Sequence, residues 1–212
     1  MTTKSPDLDD AYALKSADDA KRVYAAWAET YDTSFVGGRS YVLHERVAED
    51  FVEKGGSGPV LDLGAGTGVL ATALASLNVG PLEAADISSE MLEHASRKGL
   101  YRRLFVTDPE RPLPFPDESL NGIVSSGTFT LGHLGPEILP DLMRILRPGG
   151  LMTISVNSAH YAEAGFEKAI GNIRSQIAAL HVHTVDIYAN SDATDEHAHD
   201  TAKIVSMRKK SA

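Results

Sequence analysis

Apolar stretches of strand length alternate with amphipathic stretches of helix length along the central part of the chain. This alternation is typical of α/β domains, in which helices cover a parallel sheet. The apolar runs predict strands over 59–62, 82–86, 103–107, 120–125 and 151–156, and the stretches between them predict helices over 69–77, 88–98 and 136–146. We therefore expect an open, mostly parallel sheet with helices on both faces, which binds ligands at the carboxyl ends of its strands.

The chain before this core is expected to be helical. Ser16 is a candidate cap for a helix over 20–31, with Asp19 at its third position. Gly37-Gly38 interrupts that helix, and an apolar residue at every fourth position predicts a second helix over 39–54. We expect residues 1–56 to form a helical lid on a core of residues 57–212, within one structural domain.

The chain after the core predicts one more helix and a hairpin. Residues 161–180 have the pattern of a helix. Two alternating runs, at 184–189 and 202–207, predict a terminal β-hairpin with a polar segment between its strands.

Composition narrows the function classes without changing the fold. The 212 residues suit one domain, and the absence of cysteine removes disulfides, thiolate metal sites and a cysteine nucleophile. The first residues lack the apolar core of a signal peptide, and no stretch has the length of a membrane span, so we expect a cytoplasmic protein. The formal net charge of −9 disfavours a nucleic-acid partner and favours a small-molecule substrate.

A glycine turn follows the first predicted strand. Gly64, Gly66 and Gly68 allow a tight turn and a close approach of the backbone to a ligand. A dinucleotide fingerprint would place its third glycine at Val69 and would not require Asp62 before the turn. A carboxylate at that position repels a pyrophosphate and suits the cationic groups of S-adenosylmethionine. The turn therefore favours S-adenosylmethionine over NAD.

Asp86 ends the second predicted strand, where a carboxylate can accept hydrogen bonds from both ribose hydroxyls of an adenosine. This requirement is shared by S-adenosylmethionine and NAD, so Asp86 alone does not separate a methyltransferase from an oxidoreductase. A purely structural alternative is that Asp86 caps the helix that begins near Ser88.

Three motifs resemble class I S-adenosylmethionine-dependent methyltransferases: VLDLGAGTG at 60–68, DISSEML at 86–92 and LRPGG at 146–150. Residues 27–32 and 127–133 resemble more specifically the Williams–Beuren-region methyltransferase-like group. The class resemblance spans about residues 20–207. It implies a Rossmann-like, seven-stranded, mostly parallel sheet whose last strand is antiparallel, with an N-terminal helical cover.

The resemblance also implies roles for individual residues. Asp108 would bind the adenine amino group, Ser126 and Gly127 would line the methionine moiety, and Met91 would pack on the ribose and adenine. The alternatives are a turn-forming Asp, a generic loop and a core methionine. The full set expected to bind S-adenosyl-L-methionine, and its product S-adenosyl-L-homocysteine, is Tyr31, Asp62, Gly64, Ala65, Gly66, Gly68, Asp86, Ile87, Met91, Asp108, Ser126 and Gly127.

Few catalytic groups are expected, because alignment of the reacting atoms supplies much of the rate of a methyl transfer. His133 lies in a glycine-rich loop after the fourth strand and is the first candidate for a general base, with a plain loop histidine as the alternative. Tyr24 and Tyr31 are seven residues apart on either side of Trp27 and would lie on one helix face over the cofactor. Tyr31 is the second catalytic candidate; plain packing of these aromatic residues on the sheet is the alternative.

No metal site is expected. The cluster of Asp195, His197, His199 and Asp200 lies in the polar segment of the terminal hairpin, where solvated loop residues are the simpler interpretation.

The sequence thus predicts an enzyme that methylates a small molecule at O, N or S. A protein or RNA methyltransferase and a non-catalytic S-adenosylmethionine-binding module stay open as alternatives. The sequence does not reveal the oligomeric state.

Overall fold

The computed structural model describes residues 6, 10, 17–108, 111–189 and 199–211. Its strands are β1 (Val60–Leu63), β2 (Leu82–Asp86), β3 (Tyr101–Val106), β4 (Leu120–Phe129), β5 (Leu146–Asn157), β6 (Ile177–Asp186) and β7 (Thr201–Lys209). They form one sheet in the order β3-β2-β1-β4-β5-β7-β6. The pairs among β1 to β5 are parallel, and β7 is antiparallel to both of its neighbours. The predicted fold class is confirmed.

Helices cover both faces of this sheet. They are α1 (Ala17–Trp27), α2 (Leu43–Glu53), α3 (Val69–Ser76), α4 (Ser89–Arg97), α5 (Leu139–Ile145), α6 (Ser158–Glu163) and α7 (Phe166–Asn172). Phe51 of α2 and Leu74 of α3 belong to one apolar cluster. Leu142 of α5 and Phe166 of α7 belong to a second cluster. Within the described residues, no helix combines the length and the apolar character needed to cross a bilayer.

The N-terminal helices are shorter than the sequence pattern predicts. Helix α1 ends at Trp27, and a π-helical turn over Asp32–Gly37 follows it. Helix α2 begins at Leu43, because Tyr41 pairs with Tyr188 in an isolated antiparallel bridge that holds this part of the backbone out of a helix. The predicted cap at Ser16 lies outside the described residues.

The helix predicted over 161–180 is wrong. Gly165 adopts a φ of +77°, which separates α6 from α7, and the chain enters β6 at Ile177. Residues from Ile177 onward pair with β7, so long-range strand pairing overrides the local helical pattern. The predicted hairpin is confirmed, with a first strand that begins and ends earlier than the sequence suggests.

Candidate cofactor and acceptor site

A cavity of about 430 Å³ lies at the carboxyl ends of β1, β2 and β4, beneath α1. We call it the cofactor cavity. It occupies the point where the strand order reverses between β1 and β4, the usual position of a ligand in an open α/β sheet. Its volume is that of a small-molecule site. Its lining consists of Ala20, Tyr24, Tyr31, Leu63, Gly64, Gly66, Ala85, Asp86, Ile87, Met91, Thr107, Ser126, Gly127, Thr128, Gly132, His133, Leu134 and Glu137.

Two glycines bring bare backbone to this cavity. Gly64 has a φ of +68°, and a Cβ there would overlap the Thr128 side chain. Gly66 has a φ of +53°, and a Cβ there would project into open space beside the cavity. Both positions favour glycine, because other residues are strained at positive φ. The backbone edge at the end of β1 is therefore available to a ligand.

Asp86 is held in place by backbone amides. Its Oδ2 accepts a hydrogen bond from the Gly66 N–H at 2.8 Å, and its Oδ1 accepts one from the Ser88 N–H at 2.9 Å. Burial raises the pKa of Asp86, and these backbone donors oppose that rise. Each oxygen keeps a second lone pair for a ligand. A fixed acceptor at the wall of the cavity fits the ribose hydroxyls of an adenosine.

Asp62 does not line the cavity. Its Oδ2 accepts a hydrogen bond from the Tyr101 hydroxyl at 2.6 Å, and its Oδ1 is buried without a hydrogen-bond partner among the described residues. Burial raises the pKa of Asp62 to about 7, although the Tyr101 hydrogen bond opposes the rise. Strand alternation accounts for the placement, since Leu63 lines the cavity and the preceding side chain points to the other face.

Nine of the predicted site residues come together at the cofactor cavity: Tyr31, Gly64, Gly66, Asp86, Ile87, Met91, Ser126, Gly127 and His133. Asp62, Ala65, Gly68 and Asp108 are not among its lining residues. Thr107, one position before Asp108, lines it instead and was missed by the sequence reasoning. Its position at the end of β3 was the available signal, because strand ends converge at this edge of the sheet.

A second, smaller cavity of about 60 Å³ adjoins the first, and we call it the aromatic chamber. Tyr24, Tyr31, Gly127 and His133 line both cavities. The rest of the chamber is lined by Trp27, Phe35, Tyr41, Leu43, Phe129, Thr130, Ser155, Asn157, Ile187 and Tyr188. Six of its aromatic residues come from two parts of the chain. Five lie in the N-terminal segment, and Tyr188 follows β6. Except for Tyr24 and Tyr31, these aromatic residues were not predicted as site residues.

His133 and Tyr24 form a hydrogen-bonded pair at the boundary of the two cavities. The Leu131 carbonyl lies 3.0 Å from His133 Nδ1, which must donate because a carbonyl only accepts. His133 Nε2 is therefore free to accept the Tyr24 hydroxyl proton, at a distance of 2.9 Å. Burial lowers the pKa of His133, which keeps the imidazole neutral at pH 7. The pair offers the Tyr24 oxygen as a contact for a bound ligand.

Tyr31 stands in the same boundary wall. Its ring lies 5.0 Å from Trp27 and 5.1 Å from Phe35, measured between ring centroids. Burial raises the pKa of its hydroxyl, so that the phenol stays protonated at any physiological pH. It is placed to contact a ligand in either cavity.

The Asp32 carboxylate links the N-terminal segment to the core through two polar contacts. Thr67 of the glycine turn donates a hydrogen bond to Asp32 Oδ1. Lys98, just after α4, contacts Asp32 Oδ2 at 2.7 Å. These contacts connect the π-helical turn directly to the loop that lines the cofactor cavity.

The polar segment of the hairpin stays without a metal assignment. Asp195 and His197 lie outside the described residues. The described part of the chain contains no group of three or more His, Cys, Asp or Glu side chains arranged to hold a metal ion.

Comparisons with known proteins agree with this architecture. Residues 60–150 match the family model described as "Methyltransferase domain". Human methyltransferase-like protein 27 is 32% identical over 153 residues, which cover 66% of this chain and 60% of that protein. The demethylmenaquinone methyltransferase of Clavibacter sepedonicus is 38% identical over 99 residues, or 45% of this chain and 39% of that protein. The matched part thus spans less than two thirds of either relative.

A solved structure extends the likeness to the whole fold. A TehB-like S-adenosylmethionine-dependent methyltransferase from Corynebacterium glutamicum superposes with a TM-score of 0.61 at 16% identity, over 88% of this chain and 98% of that chain. By sequence, residues 60–150 match a methyltransferase domain, and the strand order is that of the class I S-adenosylmethionine-dependent methyltransferase fold. The class resemblance predicted from the motifs is confirmed, and S-adenosylmethionine is the cofactor of this class. The methyltransferase domain has its predicted glycine turn at the switch point of the sheet.

Proposed function

We propose that the protein transfers a methyl group from S-adenosylmethionine to a small-molecule acceptor held in the aromatic chamber. The observation that carries this proposal is the shared wall: Tyr24, Tyr31, Gly127 and His133 line both cavities. A cofactor in the larger cavity and an acceptor in the chamber would thus meet at these side chains. We also propose that the protein belongs to the Williams–Beuren-region methyltransferase-like group. The two segments that resemble this group, 27–32 and 127–133, contribute residues to that wall.

The residues of the cofactor cavity fit S-adenosylmethionine. Asp86 would bind the ribose hydroxyls, Met91 would pack on the nucleoside, and the backbone from Gly64 to Gly66 would pass close to the amino acid part. Ser126 and Gly127 would line the methionine side. The cofactor supplies a methyl group already activated by its positively charged sulfur, so the protein needs no covalent intermediate.

The dimensions of the chamber favour a small acceptor. About 60 Å³ admits a compact chemical group, and α1 with the π-helical turn closes the site from above. The net charge of −9 disfavours RNA. The relatives named above include a demethylmenaquinone methyltransferase, whose name gives a small molecule as its substrate.

Tyr24 and His133 are the groups that would accept a proton from the methyl acceptor. An acceptor that carries a proton must lose it before or during the transfer, and a neutral His133 can take it through the Tyr24 hydroxyl. Tyr31 would position the acceptor at the boundary. Among the described residues of the chamber lining, His133 is the one whose neutral side chain is a base.

The test uses S-adenosylmethionine labelled in its transferable methyl group, with three separate acceptor pools: a small-molecule extract, protein and RNA. We expect label in the small-molecule pool and none with the Asp86→Ala variant, which lacks the ribose acceptor. Label confined to the protein or RNA pool would overturn the acceptor class. Binding of S-adenosylhomocysteine without label in any pool would overturn the catalytic proposal in favour of a binding module.

A further inference from the structure

We propose that the aromatic chamber binds a positively charged methylammonium group, so that the acceptor is a small amine. This inference rests on the proposed function, since it names the class of acceptor for the same site. It is carried by the arrangement of rings, by the charges that the chamber lacks and by the size of the space.

The rings around the chamber form a connected wall. Ring centroids are separated by 5.0 Å between Trp27 and Tyr31, by 5.4 Å between Trp27 and Phe35, and by 5.0 Å between Phe35 and Tyr41. Tyr188 lies 6.2 Å from Tyr41 and extends the wall. Aromatic faces carry a negative quadrupole, and several faces around one desolvated site attract a quaternary or tertiary ammonium. We therefore expect this ring-lined chamber to favour a cation over a neutral group of the same shape.

The polar groups of the chamber suit a cation better than a neutral hydroxyl or thiol. None of the described residues in its lining is Lys or Arg, so no fixed positive charge in the wall repels a cation. The Tyr41 hydroxyl is engaged with Ser126 at 3.0 Å and the Tyr24 hydroxyl with His133. A neutral polar acceptor would therefore lose its hydrogen bonds to water with few partners in return. A trialkylammonium group has a single N–H and therefore needs one hydrogen-bond acceptor, and the net charge of −9 favours its approach.

Two further features agree with an amine. Thr130 lines the chamber, and its Oγ1 is buried without a hydrogen-bond partner in the described structure, which leaves an acceptor for one ammonium N–H. His133 is neutral because burial lowers its pKa, so it does not repel a cation. Both groups are compatible with an amine that enters protonated.

The size of the chamber matches the reacting group. Since one water needs about 15 Å³ of such space, about 60 Å³ holds about four heavy atoms, so only the ammonium head of a larger amine such as choline enters the chamber. A nitrogen with three carbon substituents has four heavy atoms.

After the amine passes its proton to the Tyr24–His133 pair, its lone pair forms the new bond to the methyl carbon. The methyl–sulfur bond breaks, its electron pair stays on sulfur, and the positive charge passes to nitrogen, where the rings stabilise it.

The experiment exploits the single tryptophan of the chain, Trp27, which lies in the chamber and reports occupancy by its fluorescence. Protein saturated with S-adenosylhomocysteine is titrated with choline and, separately, with 3,3-dimethylbutan-1-ol, its neutral isostere. We expect choline to bind at least about tenfold more tightly. Equal affinity for the two compounds, or no binding of choline, would overturn the inference.

A variant isolates the contribution of a ring. Phe35 lines the chamber but not the cofactor cavity, so Phe35→Leu removes an aromatic face and keeps an apolar side chain. We expect a loss of about three- to tenfold in choline affinity, with the affinities for 3,3-dimethylbutan-1-ol and S-adenosylhomocysteine unchanged. An equal loss for both alcohols would show plain apolar packing and overturn the inference. Intact S-adenosylhomocysteine binding separates that outcome from a failure of the proposed function.

Discussion

The buried carboxyl group of Asp62 shows how one side chain can serve the fold rather than contact the ligand directly. It is 1% exposed and accepts a hydrogen bond from Tyr101 at the start of β3. The sequence suggested that a carboxylate before the glycine turn would face the cofactor. Whether it acts on the cofactor stays a prediction, but its contacts connect β1 to β3 on the far side of the turn.

The raised pKa of Asp62 predicts a specific pH dependence of stability. The pKa is about 7 in the folded protein against an ordinary value of 3.8, so the folded state holds a proton that the unfolded state has lost. Stability therefore falls as pH rises through that window. Between pH 4 and pH 8 the natural protein should lose on the order of 4 kcal/mol of unfolding free energy through this group. We expect Asp62→Asn to lack this loss, because asparagine does not titrate.

The measurement is the free energy of unfolding by urea at several pH values. The gap between Asp62→Asn and the natural protein should widen in favour of the variant as pH rises. The exposed Asp18 provides a matched control, since Asp18→Asn makes the same chemical change on the surface. Parallel pH profiles for the natural protein and Asp62→Asn would contradict the prediction.

At the scale of elements, Asp32 is one of the side chains that attach the N-terminal segment to the core. Asp32 joins the π-helical turn to Thr67 and Lys98. The aromatic rings of the chamber belong largely to the same segment. The proposal that this segment acts as a lid therefore implies that the contacts of Asp32 resist its opening.

Removing this carboxylate should loosen the cover. Asp32 is 43% exposed and Lys98 is 26% exposed, so solvent weakens their ion pair. We therefore expect loss of this carboxylate to lower the free energy of opening of the N-terminal segment by about 1 kcal/mol. Asp32→Ala should speed amide exchange of residues 17–37 by roughly fivefold, while the exchange of α5 and β5 stays unchanged. Hydrogen–deuterium exchange with mass spectrometry measures this, with the exposed Glu29→Ala as the control. Unchanged exchange over residues 17–37 would argue against the attachment.

Element bounds also show which local signals are reliable. Ser88 caps α4 by accepting the Met91 N–H, and α4 therefore begins where the sequence predicts. The region 161–180 instead contains two short helices and the start of β6. A cap acts through its own neighbours in sequence, whereas strand β6 depends on β7, which follows it by a long connection.

At the scale of the whole molecule, the cofactor cavity joins four separate parts of the chain. The ends of β1 and β2 supply Gly66 and Asp86, β4 supplies Ser126, and α1 supplies Tyr24. A ligand bound there contacts the core and the cover at once. Binding should therefore stabilise the fold as a unit, because a ligand that binds only the folded state adds its binding free energy to stability.

A thermal shift tests this coupling. S-adenosylhomocysteine at about 100 times its dissociation constant should add about 2.7 kcal/mol, which raises the melting temperature by about 5–10 °C for a chain of this length. NADH at the same concentration should give no shift, and Asp86→Ala should lose most of the shift with S-adenosylhomocysteine. A shift with NADH instead would favour the oxidoreductase alternative.

The sequence by itself determined the class of fold and the cofactor. Alternating strands and helices, the glycine turn at 64–68 and Asp86 depend on local periodicity, backbone conformation and short-range spacing. The tertiary structure alone decided that Asp62 turns away from the cavity, that Thr107 reaches it, and that Tyr41 and Tyr188 meet Trp27 and Phe35 around one chamber. These contacts join residues far apart in the chain, and only packing brings such residues together.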